Sequence, residues 1–125
     1  MHSVDLEESI EFCSNINILK LLKSFPSGTS CGPSGLRVEH LIELNQIPHS
    51  QSLMSLLRKV MNILVKGKAP IEASSYICGG TLTALSKTSG KLEDIRPIVA
   101  GEVLRRITCK AICFSLRSRA KNLFY

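Results

Sequence analysis

The chain has 125 residues, 44% of them hydrophobic, enough for one domain with its own core and too few for two. Its 16 basic and 10 acidic side chains leave a formal charge of +6, which favours a polyanionic partner. Tryptophan is absent and aromatics make up 5%, so the core must be aliphatic and a base-stacking platform is disfavoured.

The N-terminal stretch MHSVDLEESIEF is acidic where a signal peptide is basic and then apolar, and no apolar run approaches the ~18 residues of a membrane span. Residues 1–13 read as an acidic segment ahead of a single unit, residues 14–125. The five cysteines, at 13, 31, 78, 109 and 113, are odd in number and include no C-x-x-C pair, the pattern of neither a disulfide framework nor a zinc site. These features together lead us to expect an intracellular protein, nuclear or cytoplasmic, neither secreted nor membrane-bound.

Ser14 is positioned to cap a helix over about 15–24, with Ile18 and Leu22 on one face, ending at Phe25-Pro26. The stretch PSGTSCGPSG, residues 26–35, has loop composition, and Ser34 is placed to cap a second helix from Leu36 to about Asn45. A third helix is the clearest periodic signal. Leu53, Leu56, Leu57, Val60, Met61 and Leu64 follow the i, i+3, i+4, i+7 spacing, with Ser50 before and Gly67 after. After Pro70 the pattern changes: Gly79-Gly80 introduces TLTALSK, a strand, and the polar turn TSGKLED leads to IRPIV, whose Pro97 restricts it to an edge. The two form a β-hairpin with a basic tip. Beyond Gly101, Val103, Leu104, Ile107, Ala111, Leu116 and Ala120 trace a looser helix that carries six basic residues. The expected fold class is α+β, mostly α, with three to five helices and one hairpin.

Charge is segregated along this order. Residues 1–86 hold seven basic and seven acidic side chains, so the entire surplus lies from Lys87 onward. A polyanion-binding surface is expected there, with Lys91, Arg105, Arg106 and Lys110 as contacts to an RNA or DNA backbone.

Two blocks, SFPSGTSCGPSGLRVEHL and GGTLTALSKTSGKLEDIRPIVAGEVLRRITCKAI, resemble the N-terminal conserved blocks of reverse transcriptases from non-LTR-type retroelements. The resemblance covers most of the chain, residues 14 to about 121, with Lys87, a glycine-bearing turn, Arg-Pro-Ile and Gly-Glu-Val-Leu-Arg-Arg in the family's order. It implies the fingers of a right-hand polymerase, in which Lys87 and Arg96 contact the triphosphate of an incoming deoxynucleotide. Phosphate chemistry agrees, since lysine offers a compact charge and arginine a planar fork. The residues alone, without the resemblance, fit better a solvated pair on a basic hairpin.

The family's nucleotidyl transfer uses palm aspartates to hold two divalent ions, normally Mg2+. This chain has only Asp5, in the acidic segment, and Asp94, in the hairpin turn, and no Asp-Asp pair. The resemblance therefore implies a reverse transcriptase truncated before its palm, with the palm as missing structural partner, no cofactor and no catalytic residue of its own, and no polymerase activity alone. The alternative is a small basic module that binds RNA or DNA without sequence preference. Smaller features have plainer readings. Cys109 and Cys113 are four apart without a completing cluster and are expected to pack as small hydrophobes. Adjacent Arg105 and Arg106 diverge by about 100°, so at most one faces a ligand together with the hairpin. His40 has no matched nucleophile and is expected on a helix surface or in packing. Gly32-Pro33-Ser34-Gly35 suggests a cap and tight turn, not a nucleophile.

Overall fold

A computed structural model describes residues 16–48, 50–86 and 95–124. Along them run α1 (Ile18–Lys23), α2 (Val38–Leu44), α3 (Ser50–Val65), a 3-10 turn (Ile71–Ala73) leading into α4 (Ser74–Cys78), strands β1 (Gly80–Ser86) and β2 (Ile95–Gly101), and α5 (Val103–Phe124). The described residues are thus α+β and mostly helical, with one antiparallel hairpin, as expected. The short helical stretch from Ile71 to Cys78 was not foreseen, because its eight residues contain too little periodicity to separate helix from loop.

Helix α1 is capped by Asn17, whose Oδ1 accepts the Lys20 backbone N–H at 3.1 Å. The expected cap, Ser14, lies outside the described residues. The far end of α3 shows why Gly67 follows it. With φ of +65°, Gly67 turns the chain so that its N–H reaches the Leu64 carbonyl at 3.1 Å and the Lys68 N–H reaches that of Ile63 at 3.0 Å. This paired closure satisfies two of the helix's otherwise orphaned carbonyls.

One aliphatic core joins four helices: Ile18, Leu21 and Leu22 of α1, Val38 and Leu41 of α2, Leu57 and Met61 of α3, and Val103, Ile107 and Ala111 of α5. Each large side chain buried there contributes about 1.5–3 kcal/mol. Only Leu57 and Met61 of the six-residue stripe in α3 are buried, and Leu56 is 58% exposed. The helix therefore offers the core one ridge, with Met54 and Val65 packed beside it, while Leu53, Val60 and Leu64 are half-buried.

The hairpin carries little of the core. β1 and β2 pair from Gly80 opposite Gly101 to Ser86 opposite Ile95, and no residue of β1 is buried. Side chains alternate across a strand, so Leu82, Ala84, Ile95, Pro97 and Val99 share one face, while Thr81, Thr83, Leu85, Arg96 and Ile98 share the other. Pro97 sits opposite Ala84 in a two-stranded sheet where each strand pairs on one side only, as its missing N–H requires.

Candidate nucleotide and nucleic-acid interface

The loop between α1 and α2 lies against the start of α5, and their contact is close. A Cβ on Gly32 would stand 2.5 Å from Glu102 Cα, 2.7 Å from its N and 2.8 Å from the Gly101 carbonyl carbon. Only a residue without a side chain lets these two backbones meet. Glu102 is 2% exposed, and both carboxylate oxygens turn back to the loop. Oε1 accepts the Ser34 hydroxyl at 2.6 Å, and Oε2 accepts the Ser34 N–H at 3.2 Å, across 68 positions of sequence.

This arrangement corrects the role expected of Ser34. Its oxygen accepts the Leu36 N–H at 3.2 Å and its proton goes to Glu102, so it organises the loop and does not cap α2. The helix begins two residues later than expected, at Val38, with Arg37 as the N-cap residue. The Arg37 N–H donates to Nδ1 of His40 at 3.1 Å. His40 is exposed and works as part of the helix start, in keeping with a surface role. The tight turn expected at residues 32–35 is present, closed by the Gly35 N–H on the Gly32 carbonyl at 3.1 Å.

Three of the four expected nucleic-acid contacts grip this same loop and its neighbour. Arg105 Nη1 donates to the Cys78 carbonyl at 3.1 Å, just before β1. Arg106 Nη2 donates to the Ser30 carbonyl, while its Nε is buried without a partner. Lys110 Nζ donates to the Ser24 carbonyl at 3.0 Å and lies 4.1 Å above the centre of the Phe25 ring, a cation–π contact. Arg105 and Arg106 thus diverge as expected, but each has an internal acceptor. Guanidinium and ammonium groups carry five and three donors, so each side chain retains further N–H groups for an anion. The sequence held a signal for this anchoring: a Gly/Pro-rich loop outside regular ladders leaves carbonyls that need donors, and the nearest reservoir was the basic helix.

Arg96 is exposed on β2, opposite Leu85. Its proposed partner Lys87, and Lys91, lie outside the described residues. Cys109 and Cys113 correct another expectation, since both are exposed free thiols. The core face of α5 is set by Val103, Ile107 and Ala111, and a residue two positions past Ile107 is turned about 200° from it. Among the described residues no group of three metal-binding side chains assembles. No described helix is long and apolar enough to cross a membrane. A shallow depression over the α2–α3 turn, residues 45–48 and 50–52, is lined by no charged side chain.

One carboxylate couples the loop to pH. Glu39 Oε1 accepts the Gly28 N–H at 2.9 Å. The bond from its own backbone N–H, followed by that from Gly28, holds the Glu39 carboxyl below its ordinary range. A carboxyl with a lowered folded-state value stabilises above its unfolded value and loses that contribution as pH falls through the folded one. Stability is therefore expected to be intact at neutral pH and to drop on acidification below the usual carboxylate range. Glu39→Gln should lower the midpoint at neutral pH, where the carboxylate's contribution is present, and change it least in acid, where wild type has already lost that contribution, so the acid limb flattens. Urea midpoints at pH 7, 5 and 3.5 check this, and parallel acid limbs in the two proteins would contradict it.

No protein-family model matches the sequence, and no curated protein and no solved structure matches it either.

Proposed function

We propose that this chain is the fingers portion of a reverse-transcriptase-like polymerase of retroelement origin. It would supply a triphosphate-facing hairpin, with Lys87 and Arg96 as the phosphate ligands, and would depend on a separate palm for the metal-holding aspartates. By itself it would bind nucleotide and nucleic-acid backbone without polymerising. The observation that supports this reading is the fit between its two motif blocks. Gly32 and Ser34 of the first block meet Glu102 of the second, and Ser30 of the first accepts Arg106 of the second. Segments that resemble one family's conserved blocks are thereby joined by a glycine that tolerates no side chain and a buried carboxylate. Such a joint would fix the root of the hairpin relative to α5, so that a phosphate held by Arg96 has a rigid base.

Binding to nucleic acid is expected to be weak, sequence-independent and steeply salt-dependent. About three to five neutralised phosphates give a log–log slope of a few units. Removing charge at both Lys87 and Arg96 should flatten that slope and weaken triphosphate binding. The same change at Lys20 and Lys23, both described on α1 and exposed, should do neither. Fluorescence anisotropy of a labelled single strand over a salt series, with nucleoside triphosphate as competitor, separates the cases. Equal losses from the two pairs, or an affinity indifferent to salt, would remove the hairpin from the interface.

A further inference from the structure

Helix α5 has two apolar faces, and the core uses one. Val103, Ile107 and Ala111 are buried. On the opposite side Cys109, Cys113, Leu116, Ala120 and Leu123 are all exposed, Leu116 at 46% and Leu123 at 80%. Their spacing of four, three, four and three residues is the heptad seam of a coiled coil, running for two heptads. At about 100° per residue the five fall within an arc of roughly 80°, about half a turn from the core face. A helix apolar on two sides is ordinarily packed on two sides, and nothing among the described residues covers the second.

Charge selects the occupant. The helix from Val103 to Phe124 contains no aspartate or glutamate. Arg117 and Arg119 are exposed and flank the seam on either side, at the positions that set partner choice in helix pairs, and Lys121 lies just beyond. A second copy would bring no opposite charge to those flanks in either direction, and an antiparallel copy would set arginine against arginine. An interfacial membrane helix needs a broad face of bulky side chains. Phe124, 82% exposed, and half-buried Ile112 border this seam, but three of its five positions are Cys or Ala, and Phe114 lies off to the side. Small residues along the centre of the seam instead let a neighbouring helix approach closely.

We propose that the outer face of α5 docks an amphipathic α-helix of another protein, with an apolar stripe in the seam and glutamate or aspartate beside Arg117 and Arg119. The occupant is thus set by geometry and charge together, independently of the hairpin's nucleotide chemistry. Residues 1–13 of this chain, with Asp5, Glu7, Glu8 and Glu11, carry the same sign of charge and are the natural competitor in cis.

The test uses the full chain and two synthetic helical peptides of about three heptads, identical leucine seams flanked by glutamate in one and by lysine in the other. By fluorescence anisotropy the glutamate peptide should bind at least tenfold more tightly than the lysine peptide. Leu116→Ser with Leu123→Ser, both exposed and charge-neutral, should cost the glutamate peptide at least tenfold in affinity while leaving the circular dichroism spectrum and the salt slope for single-stranded RNA unchanged. Arg117→Gln with Arg119→Gln should reduce the preference between the two peptides, and Leu82→Ser with Val99→Ser on the hairpin should leave peptide binding intact. The proposal is overturned by equal binding of the two peptides, by binding that survives the seam variant, or by no peptide binding. Seam-dependent binding to anionic vesicles in place of peptide overturns it too, as does a stable homodimer that the seam variant dissociates. Peptide binding that appears only after residues 1–13 are removed assigns the seam to the chain's own acidic segment and likewise overturns it.

Discussion

Replacing Gly32 with alanine is expected to destabilise the chain by about 2–3 kcal/mol, a large share of what a domain of this size has to lose. The added methyl would meet the Glu102 and Gly101 backbone at 2.5 to 2.8 Å, and backbone cannot rotate out of the way as a side-chain tip can. Relief requires the loop and the start of α5 to separate. That movement would strain the hydrogen bonds from Ser34 and Arg106 as well. Gly67→Ala provides the comparison: its φ of +65° imposes a conformational cost, but nothing lies within 4 Å of the new Cβ. It should cost about 1 kcal/mol. Guanidinium midpoints for the two variants measure the difference. If Gly32→Ala is no worse than Gly67→Ala, the two backbones are not in the contact described. The Gly32 variant should also weaken nucleotide binding if the joint supports Arg96, whereas the Gly67 variant should not.

Glu102→Ala is expected to cost about 2–4 kcal/mol. Hydrogen bonds to a charged group contribute about 1.5–3 kcal/mol each, and truncation leaves the Ser34 N–H and hydroxyl without their acceptor at a part-buried site. Ser34→Ala removes the hydroxyl's bond to Oε1 and its acceptance of the Leu36 N–H, but leaves the Ser34 N–H bonded to Oε2 and buries no unpaired charge, so its effect should be smaller, about 1–2 kcal/mol. The two residues should not be additive. A double-mutant cycle by chemical denaturation is expected to give a coupling of about 1 kcal/mol or more. A coupling below about 0.3 kcal/mol would mean that the carboxylate and the serine do not depend on each other.

Periodicity and local chemistry made much of this fold legible. α3 was visible because six apolar residues repeat at helical spacing and a glycine follows, and the Schellman closure at Gly67 is the physical counterpart of that reading. The hairpin was visible from its alternation, its turn composition and the demand Pro97 makes for an unpaired side. What the sequence concealed is long-range. Ser34 read as a helix cap because caps are local, and nothing adjacent to it hinted at a carboxylate 68 positions away. Nothing adjacent in the sequence singles out Glu102 either, yet it is among the most buried polar residues described. Residue type alone suggests packing for Cys109 and Cys113, but the face of α5 that meets the core is set by Val103, Ile107 and Ala111 at a spacing of four. The candidate site was legible as a charge surplus beyond residue 86. Its division of labour was not, since composition cannot distinguish an arginine reserved for a phosphate from one that ties down a loop carbonyl.

The sharing of the core between α1, α2 and α3 on one side and α5 on the other has a consequence for synthesis on the ribosome. The chain emerges N-terminus first, and the earlier helices reach solvent with Leu21, Leu22 and Met61 but without the Val103–Ile107–Ala111 ridge that packs on α1 and α3. The loop likewise waits for Glu102 and Arg106, so its shape cannot be set by local bonds alone. Closure must then follow the exit of α5, as one late event across most of the chain's length, and contacts of such separation form slowly. During that interval the nascent chain displays an uncovered aliphatic surface of the kind that holdase chaperones recognise.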